Sequence, residues 1–217
     1  MTRKIDTILF DLDGTLINTI DLIIASFEHT LKVYFPERDY SRDEVVSFIG
    51  PPLSETFGRL NPGQVEEMIQ EYRRFNHTNH DDLVTEYAGV IETLESLKKE
   101  GYKMGIVTSK RRDTALRGIE LMNLGSFFPV IVSLDEVTKY KPDAQPVERA
   151  LEGLGSEADQ AVMVGDSEHD ILSGKNAGTW TAGVSWSVHG KAHLESFSPD
   201  VMLESMTDLL DYLKTRT

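Results

Sequence analysis

The sequence predicts an α/β fold: a parallel sheet covered by helices on both faces, with a small all-helical subdomain inserted near the start. Three observations carry this. Short apolar segments of strand character alternate with segments of period near 3.6 from Val90 onward. Residues 18–82 break that rhythm, reading as helices with Pro/Gly punctuation ("FIGPPLS", "LNPGQ") and no strand between them. Several strands end in acids, hydroxyls or a lysine, where ligands gather in parallel sheets. The core is therefore expected from residues 1–17 and 83–217, and the inserted domain from 18–82.

The first strand ends inside "ILFDLDGTLINT", Ile8 to Thr19. After it, Ile20, Ile23, Ile24, Phe27, Leu31 and Tyr34 share one helical face, as do Val65, Met68, Ile69 and Tyr72 further on. Val90, Ile91, Leu94 and Leu97 mark a helix that stops at Gly101, a residue suited to the left-handed position past a helix end. "YKMGIVTS" follows as a buried strand. A helix with Ala115, Leu116, Ile119 and Met122 leads to "FPVIVS", and one with Val147, Ala150, Leu151 and Leu154 leads to "QAVMVGD". A short helix near Ile171 to Ala177 leads to "TWTAGVSW", and "SMTDLLDYLKT" reads as a closing helix.

Composition narrows the function. The 217 residues carry 36 acids against 22 bases, a net charge of −14 that disfavours nucleic acid and anionic membranes as partners. An anionic substrate must then be drawn in by local cations. With no cysteine there is no disulfide framework, thiolate nucleophile or cysteine zinc site, which suits a reducing, cytoplasmic setting. The apolar run near the N-terminus, broken at Asp11, is too short for a signal peptide, and no stretch approaches the length of a membrane span.

Asp11 and Asp13 are two residues apart, so in an extended chain they point the same way and can converge on one pocket. "DG" is also a hairpin signal, but the helical period after Gly14 supplies no partner strand. Asp166 again follows an apolar strand, in "MVGDSEHD", with Asp170 one helical turn on; taken singly, Asp166 reads equally well as a helix cap. Three carboxylates within roughly 4 Å would repel by several kcal/mol per pair at an effective dielectric of ~20. A divalent cation removes that conflict, and an all-oxygen set favours Mg2+ over zinc. Thr108 and Ser109 end the second core strand, where a hydroxyl and helix-start amides can hold an anionic oxygen, and "KYKPD" offers Lys141. Singly these are common caps and surface charges. Together they make the set for phosphoryl transfer: nucleophile, acid/base, metal and phosphate clamp.

In order and content, "DLDGT", "TS", "KP" and "GDSEHD" resemble the motifs of the haloacid dehalogenase superfamily, phosphatase branch with a helical (C1-type) cap, over essentially the whole chain. More narrowly, "GTLINTIDLIIASFEHTL", "FIGPPLSETF", "NHTNHDDLV" and "GKNAGTWTAGVSW" are similar to inorganic pyrophosphatases of the PpaX type. The resemblance implies a Rossmann-like core and a cytoplasmic hydrolase acting through an aspartyl-phosphate. In it Asp11 is the nucleophile and Asp13 the acid/base. Thr108 and nearby amides hold the phosphoryl oxygens, and Lys141 offsets charge. Mg2+ sits among Asp11, the Asp13 main-chain carbonyl and Asp166, with Asp170 ligating through water or orienting the site.

An anionic leaving group calls for further cations. Candidates are Arg59, Arg73, Arg74, His77, His80 and Lys110 beside Ser109, with Lys110, Arg59 and His77 foremost. Asn18 stands where many relatives carry an acid or serine, and His169 reads as a helix-surface histidine. The substrate expected is a small phosphorylated one, pyrophosphate first. The alternatives are a small organic phosphomonoester such as phosphoglycolate, promiscuous housekeeping activity, a phosphomutase, or a non-catalytic phosphoanion-binding protein, which the intact acids and Lys141 oppose. A monomer or small homo-oligomer is expected.

Overall fold

The computed structural model describes residues 4–216. In chain order its elements are β1 (Thr7–Phe10), β2 (Ile17–Asn18), α1 (Ile20–Tyr34), α2 (Arg42–Val46), α3 (Leu53–Leu60), α4 (Val65–Leu83), β3 (Thr85–Glu86) and α5 (Val90–Lys99). There follow β4 (Lys103–Val107), α6 (Arg112–Leu121), β5 (Val130–Val132), α7 (Gln145–Leu154), β6 (Ala161–Gly165), α8 (Glu168–Ala177), β7 (Trp180–Val184), α9 (Lys191–Glu195), β8 (Val201–Leu203) and α10 (Asp208–Lys214). The chain divides into two units: one takes the residues up to Asn18 and from Glu86 on, the other Thr19–Thr85. The second runs past the Asp82 expected from sequence because α4 continues to Leu83.

The larger unit is built on a six-stranded sheet ordered β5-β4-β1-β6-β7-β8, with every neighbouring pair parallel. Its central strands are fully buried and read as continuous apolar runs, as expected of a sheet covered on both faces. On one face Leu9, Val107 and Met163 join Val147, Ala150 and Leu151 of α7. Phe10, adjacent to Leu9 and so directed to the other face, meets Phe128 edge-on with ring centroids 6.0 Å apart. From β1 the chain runs outward through β4 to β5 and then crosses to β6, β7 and β8 on the other side, a reversal of strand order that opens a crevice at the carboxyl ends of β1 and β6. Gly101 stands at φ +82° past α5, the left-handed conformation that ends a helix.

The smaller unit has its own core. Ile24, Phe27 and Leu31 of α1 pack with Met68, Ile69 and Tyr72 of α4 and with Phe57 of α3. Phe27 is the hub, its ring 4.9 Å from Tyr72 and 5.7 Å from Phe57. Ser41 and Glu44 form a reciprocal capping box that starts α2.

Four elements escape the sequence reading. β8 and α9 have three and five residues, too few for a period to register, and β2 and β3 have two each. β2 and β3 pair with each other where the chain leaves and re-enters the larger unit. Gly14 therefore does not lead straight into α1. The amides of Leu16 and Ile17 return to the Leu12 carbonyl at 3.0 Å, making a tight turn, and only after β2 does the helix begin at Ile20.

Candidate active site

Register builds the site. Phe10 of β1 sits opposite Ile106 of β4 and Val164 of β6, so Asp11, Thr108 and Asp166 leave three adjacent strands at nearly the same level. The Asp11 amide extends the ladder by donating to the Val164 carbonyl at 2.9 Å, and the Thr108 amide does the same to Val132 at 2.9 Å. Asp11, Thr108, Lys141, Asp166 and Asp170 are all buried.

Lys141 joins this cluster. Its ammonium donates to Asp11 Oδ1 at 2.7 Å, to Asp170 Oδ1 at 2.6 Å and to the Val107 carbonyl at 3.1 Å. Asp170 occupies the third position of α8, where its Oδ2 accepts from the Ser167 amide (3.0 Å) and hydroxyl (2.7 Å) in a capping box. The helix cap is thus formed by Ser167 and Asp170, which leaves Asp166 free of that duty. Asp166 Oδ1 accepts from the Thr15 hydroxyl at 3.4 Å.

Asp13 has a different partner from Asp11. Lys110 donates to Asp13 Oδ1 at 2.7 Å, with both side chains partly buried. The Lys110 amide donates to Thr108 Oγ1 at 3.1 Å, which leaves the Thr108 proton to be given elsewhere. Ser109, between them, is half-buried.

Electrostatics follow from three buried acids around one lysine. Burial pushes the Asp11 carboxyl up to about 7; the Lys141 charge opposes this, and Asp170 and Asp13 add to it. Burial, with Asp11 and Asp170 beside it, also holds Asp166 well above the carboxylate range. Burial alone would lower Lys141, but Asp11 and Asp170 outweigh it and keep the ammonium charged.

One carboxylate oxygen from each of Asp11, Asp166 and Asp170 lies within 4.8 Å of the others, the only such group of possible metal ligands among the described residues. The donors are all oxygen and exceed the cluster's cationic charge, a set that fits a hard divalent cation. Gly14 fits the same picture. At φ +81° it adopts a conformation that L side chains avoid, and an added Cβ would overlap the Asp166 carboxylate.

The cations expected in the inserted unit are placed as follows. Arg59 of α3 is exposed and paired with Glu55 one turn away. On α4, Arg73 and His77 are exposed one turn apart. Arg74 is bound at 3.0 and 2.5 Å by Glu71, whose carboxyl Arg74 and His29 together hold down at about 2. His80 is buried, its Nδ1 2.9 Å from Asp81. His169 has a partly exposed side chain whose Nε2 lies 4.0 Å from Glu168.

Two site neighbours were not singled out from sequence. Thr15 and Ser167 follow Gly14 and Asp166 directly, and that adjacency was the signal available.

Comparison with known proteins agrees with this architecture. A protein of Bacillus cereus (strain AH820) named Pyrophosphatase PpaX is 53% identical over 210 residues, 97% of each chain. A haloacid dehalogenase-like family hydrolase from Streptococcus pneumoniae superposes with a TM-score of 0.85 at 27% identity, covering 96% of this chain and 98% of that one. A structure from Bacteroides fragilis, described as haloacid dehalogenase-like, gives 0.88 at 25% identity, over 95% and 100%. The family model described as haloacid dehalogenase-like hydrolase matches residues 8–184, from the strand before Asp11 to the end of β7, and the chain belongs to that family.

Proposed function

We propose that the chain hydrolyses inorganic pyrophosphate to two phosphates, with Mg2+ as cofactor and Asp11 as nucleophile. The observation that carries this reading is the convergence of Asp11, Lys141, Asp166 and Asp170 in a chain 53% identical to pyrophosphatases. Asp11, Asp166 and the main-chain carbonyl of Asp13 would hold the cation, which when bound supplies charge neutralisation for the carboxylates and the phosphate oxygens.

Lys141 engages Asp11 Oδ1, fixing the carboxylate. An Asp11 oxygen attacks one phosphorus and the bond from that phosphorus to the bridging oxygen breaks; Asp13, having taken a proton from solvent as Lys110 leaves it, donates that proton to the departing phosphate. Asp13 then takes a proton from a water that attacks the phosphorus of the aspartyl-phosphate. The bond between Asp11 and phosphorus breaks, the second phosphate leaves, and both side chains return to their starting states. The Thr108 hydroxyl, with one lone pair occupied by the Lys110 amide, is set to donate to a phosphoryl oxygen. Asp170, bound to both Lys141 and Ser167, orients the lysine.

Lys110 can move from Asp13 to the distal phosphate, and Ser109 beside it offers a hydroxyl; Arg59 and His77 are the foremost cap cations for the leaving group. The acidic, cysteine-free composition suits a cytoplasmic enzyme, as a monomer or small homo-oligomer. Hydrolysis of pyrophosphate, phosphoglycolate and p-nitrophenyl phosphate should be compared side by side with Mg2+ and with EDTA. Pyrophosphate turnover is expected to exceed both esters and to stop with EDTA; equal or faster ester turnover rules the assignment out.

A further inference from the structure

We propose that the loop after β7 is a brace for the active site, in which Trp186 and Ser187 hold the backbones of the two loops bearing Asp13 and Asp166. The inference rests on the proposed function for its chemical meaning. The Trp186 indole N–H donates to the Gly14 carbonyl at 3.1 Å. The Ser187 hydroxyl donates to the Asp166 carbonyl at 2.5 Å. Adjacent residues of one loop thus hold the Gly14–Thr15 peptide, one residue beyond Asp13, and the Asp166–Ser167 peptide.

Neither accepting carbonyl belongs to a strand, since β1 ends at Phe10 and β6 at Gly165. Once ionised, the acids near them repel one another, since three buried carboxyl groups share one lysine. That repulsion acts to spread the loops, and a donor fixed to the sheet opposes it at each backbone.

The brace is itself anchored. The Ser185 amide donates to the Leu203 carbonyl of β8 at 2.9 Å, and the Ser187 amide to Val184 at 3.3 Å. Ser187 Oγ also accepts the His189 amide at 3.2 Å, which closes the loop on itself. Trp186 reaches the far end of the Asp13 turn as well. Its ring centroid lies 5.8 Å from that of Tyr87, whose hydroxyl donates to Asn18 Oδ1 at 3.4 Å. The turn from Leu12 to Asn18 is therefore held at Gly14 directly and at Asn18 through Tyr87. Trp186 and Ser187 are positioning residues: they act through the backbones of Gly14 and Asp166. Partners that orient metal-binding groups are commonly worth ~10- to 100-fold in metal affinity or activity.

The test uses the full chain carrying Trp186→Phe, which keeps a ring against Tyr87 and deletes the donor, and Ser187→Ala. Hydrogen exchange without metal is expected to accelerate in the Leu12–Asn18 segment for the first variant and in Gly165–Asp170 for the second, with the rest of the sheet unchanged. Calorimetric titration should show Mg2+ binding weakened by roughly 10-fold or more in each, with kcat falling further than KM rises, and Ser187→Thr should restore both. Wild-type exchange with wild-type Mg2+ affinity overturns the proposal, as does faster exchange spread evenly over the sheet. Should Trp186→Phe fail to fold, Ser187→Ala decides alone. A wild-type enzyme that binds no Mg2+ or spares pyrophosphate counts against the proposed function, whereas the metal-free exchange still decides the brace.

Discussion

Replacing Lys141 by methionine removes the one cation buried among the carboxylates while keeping a side chain of similar length. Lys141 stands 2.7 Å from Asp11 Oδ1 and 2.6 Å from Asp170 Oδ1, with its side chain 3% exposed. At an effective dielectric of ~20, each contact is a raw attraction of about 6 kcal/mol. Much of that offsets the cost of dehydrating the lysine, and breaking a buried pair by removing one partner typically costs about 3–5 kcal/mol net. For a chain of this size each kcal/mol moves the melting midpoint by roughly 2–4 °C, so Lys141→Met should melt ~6–20 °C below the wild type. The assay is thermal unfolding followed by circular dichroism in EDTA above neutral pH, repeated with saturating Mg2+. The deficit should shrink with Mg2+, because a divalent cation replaces part of the lost charge. A variant melting within ~2 °C of the wild type in EDTA would show that the carboxylates do not depend on Lys141, and the electrostatic reasoning would fail.

Further outcomes follow from the same cluster. Asp11 is raised from 3.8 to about 7, so the folded state keeps a proton that the unfolded chain has released. Metal-free stability should therefore fall as pH rises between about 5 and 7, with Asp166 acting in the same direction. Carboxylates held low, such as Glu71 at about 2, finish titrating below that window, and the raised Lys141 stays charged throughout it. Melting midpoints in EDTA across this range check the sign; a midpoint that climbs contradicts it. The stabilisation by Mg2+ should grow over the same range, since metal binding expels those protons. Gly14→Ala must meet both the positive φ and the Asp166 carboxylate. It should lower kcat/KM by roughly 100-fold, the cost of displacing a reacting group by about 1 Å, and wild-type turnover would show that the turn is less constrained than described.

Part of the site is legible in sequence because three of its residues directly follow a buried strand, whereas Lys141 lies well past β5 and Asp170 inside α8. Asp11, Thr108 and Asp166 announce strand ends, and a parallel sheet brings strand ends together with no further information. Pairing is less legible. That Lys141 serves Asp11 and Asp170 while Lys110 serves Asp13 depends on distances between loops far apart in the chain. Trp186 reads as one more apolar residue in "TWTAGVSW", yet β7 ends at Val184 and its indole serves a carbonyl 172 residues away. In the inserted unit the charges are abundant and no motif ranks them; Arg59 and Arg74 each have a carboxylate on their own helix, which spacing alone does not disclose as a preference over substrate.

Chemistry at Asp11 is the centre of the account, and trapping the phosphoenzyme addresses it directly. Enzyme mixed with radiolabelled pyrophosphate and Mg2+ should be quenched in acid within the first turnover, then digested and mapped. The account predicts a phosphoryl group on the peptide bearing Asp11, released by hydroxylamine as an acyl phosphate is, and absent from a folded Asp11→Asn variant that has lost turnover. Pyrophosphate turnover at the wild-type rate by that variant, or no label above its background in the wild type, would contradict it.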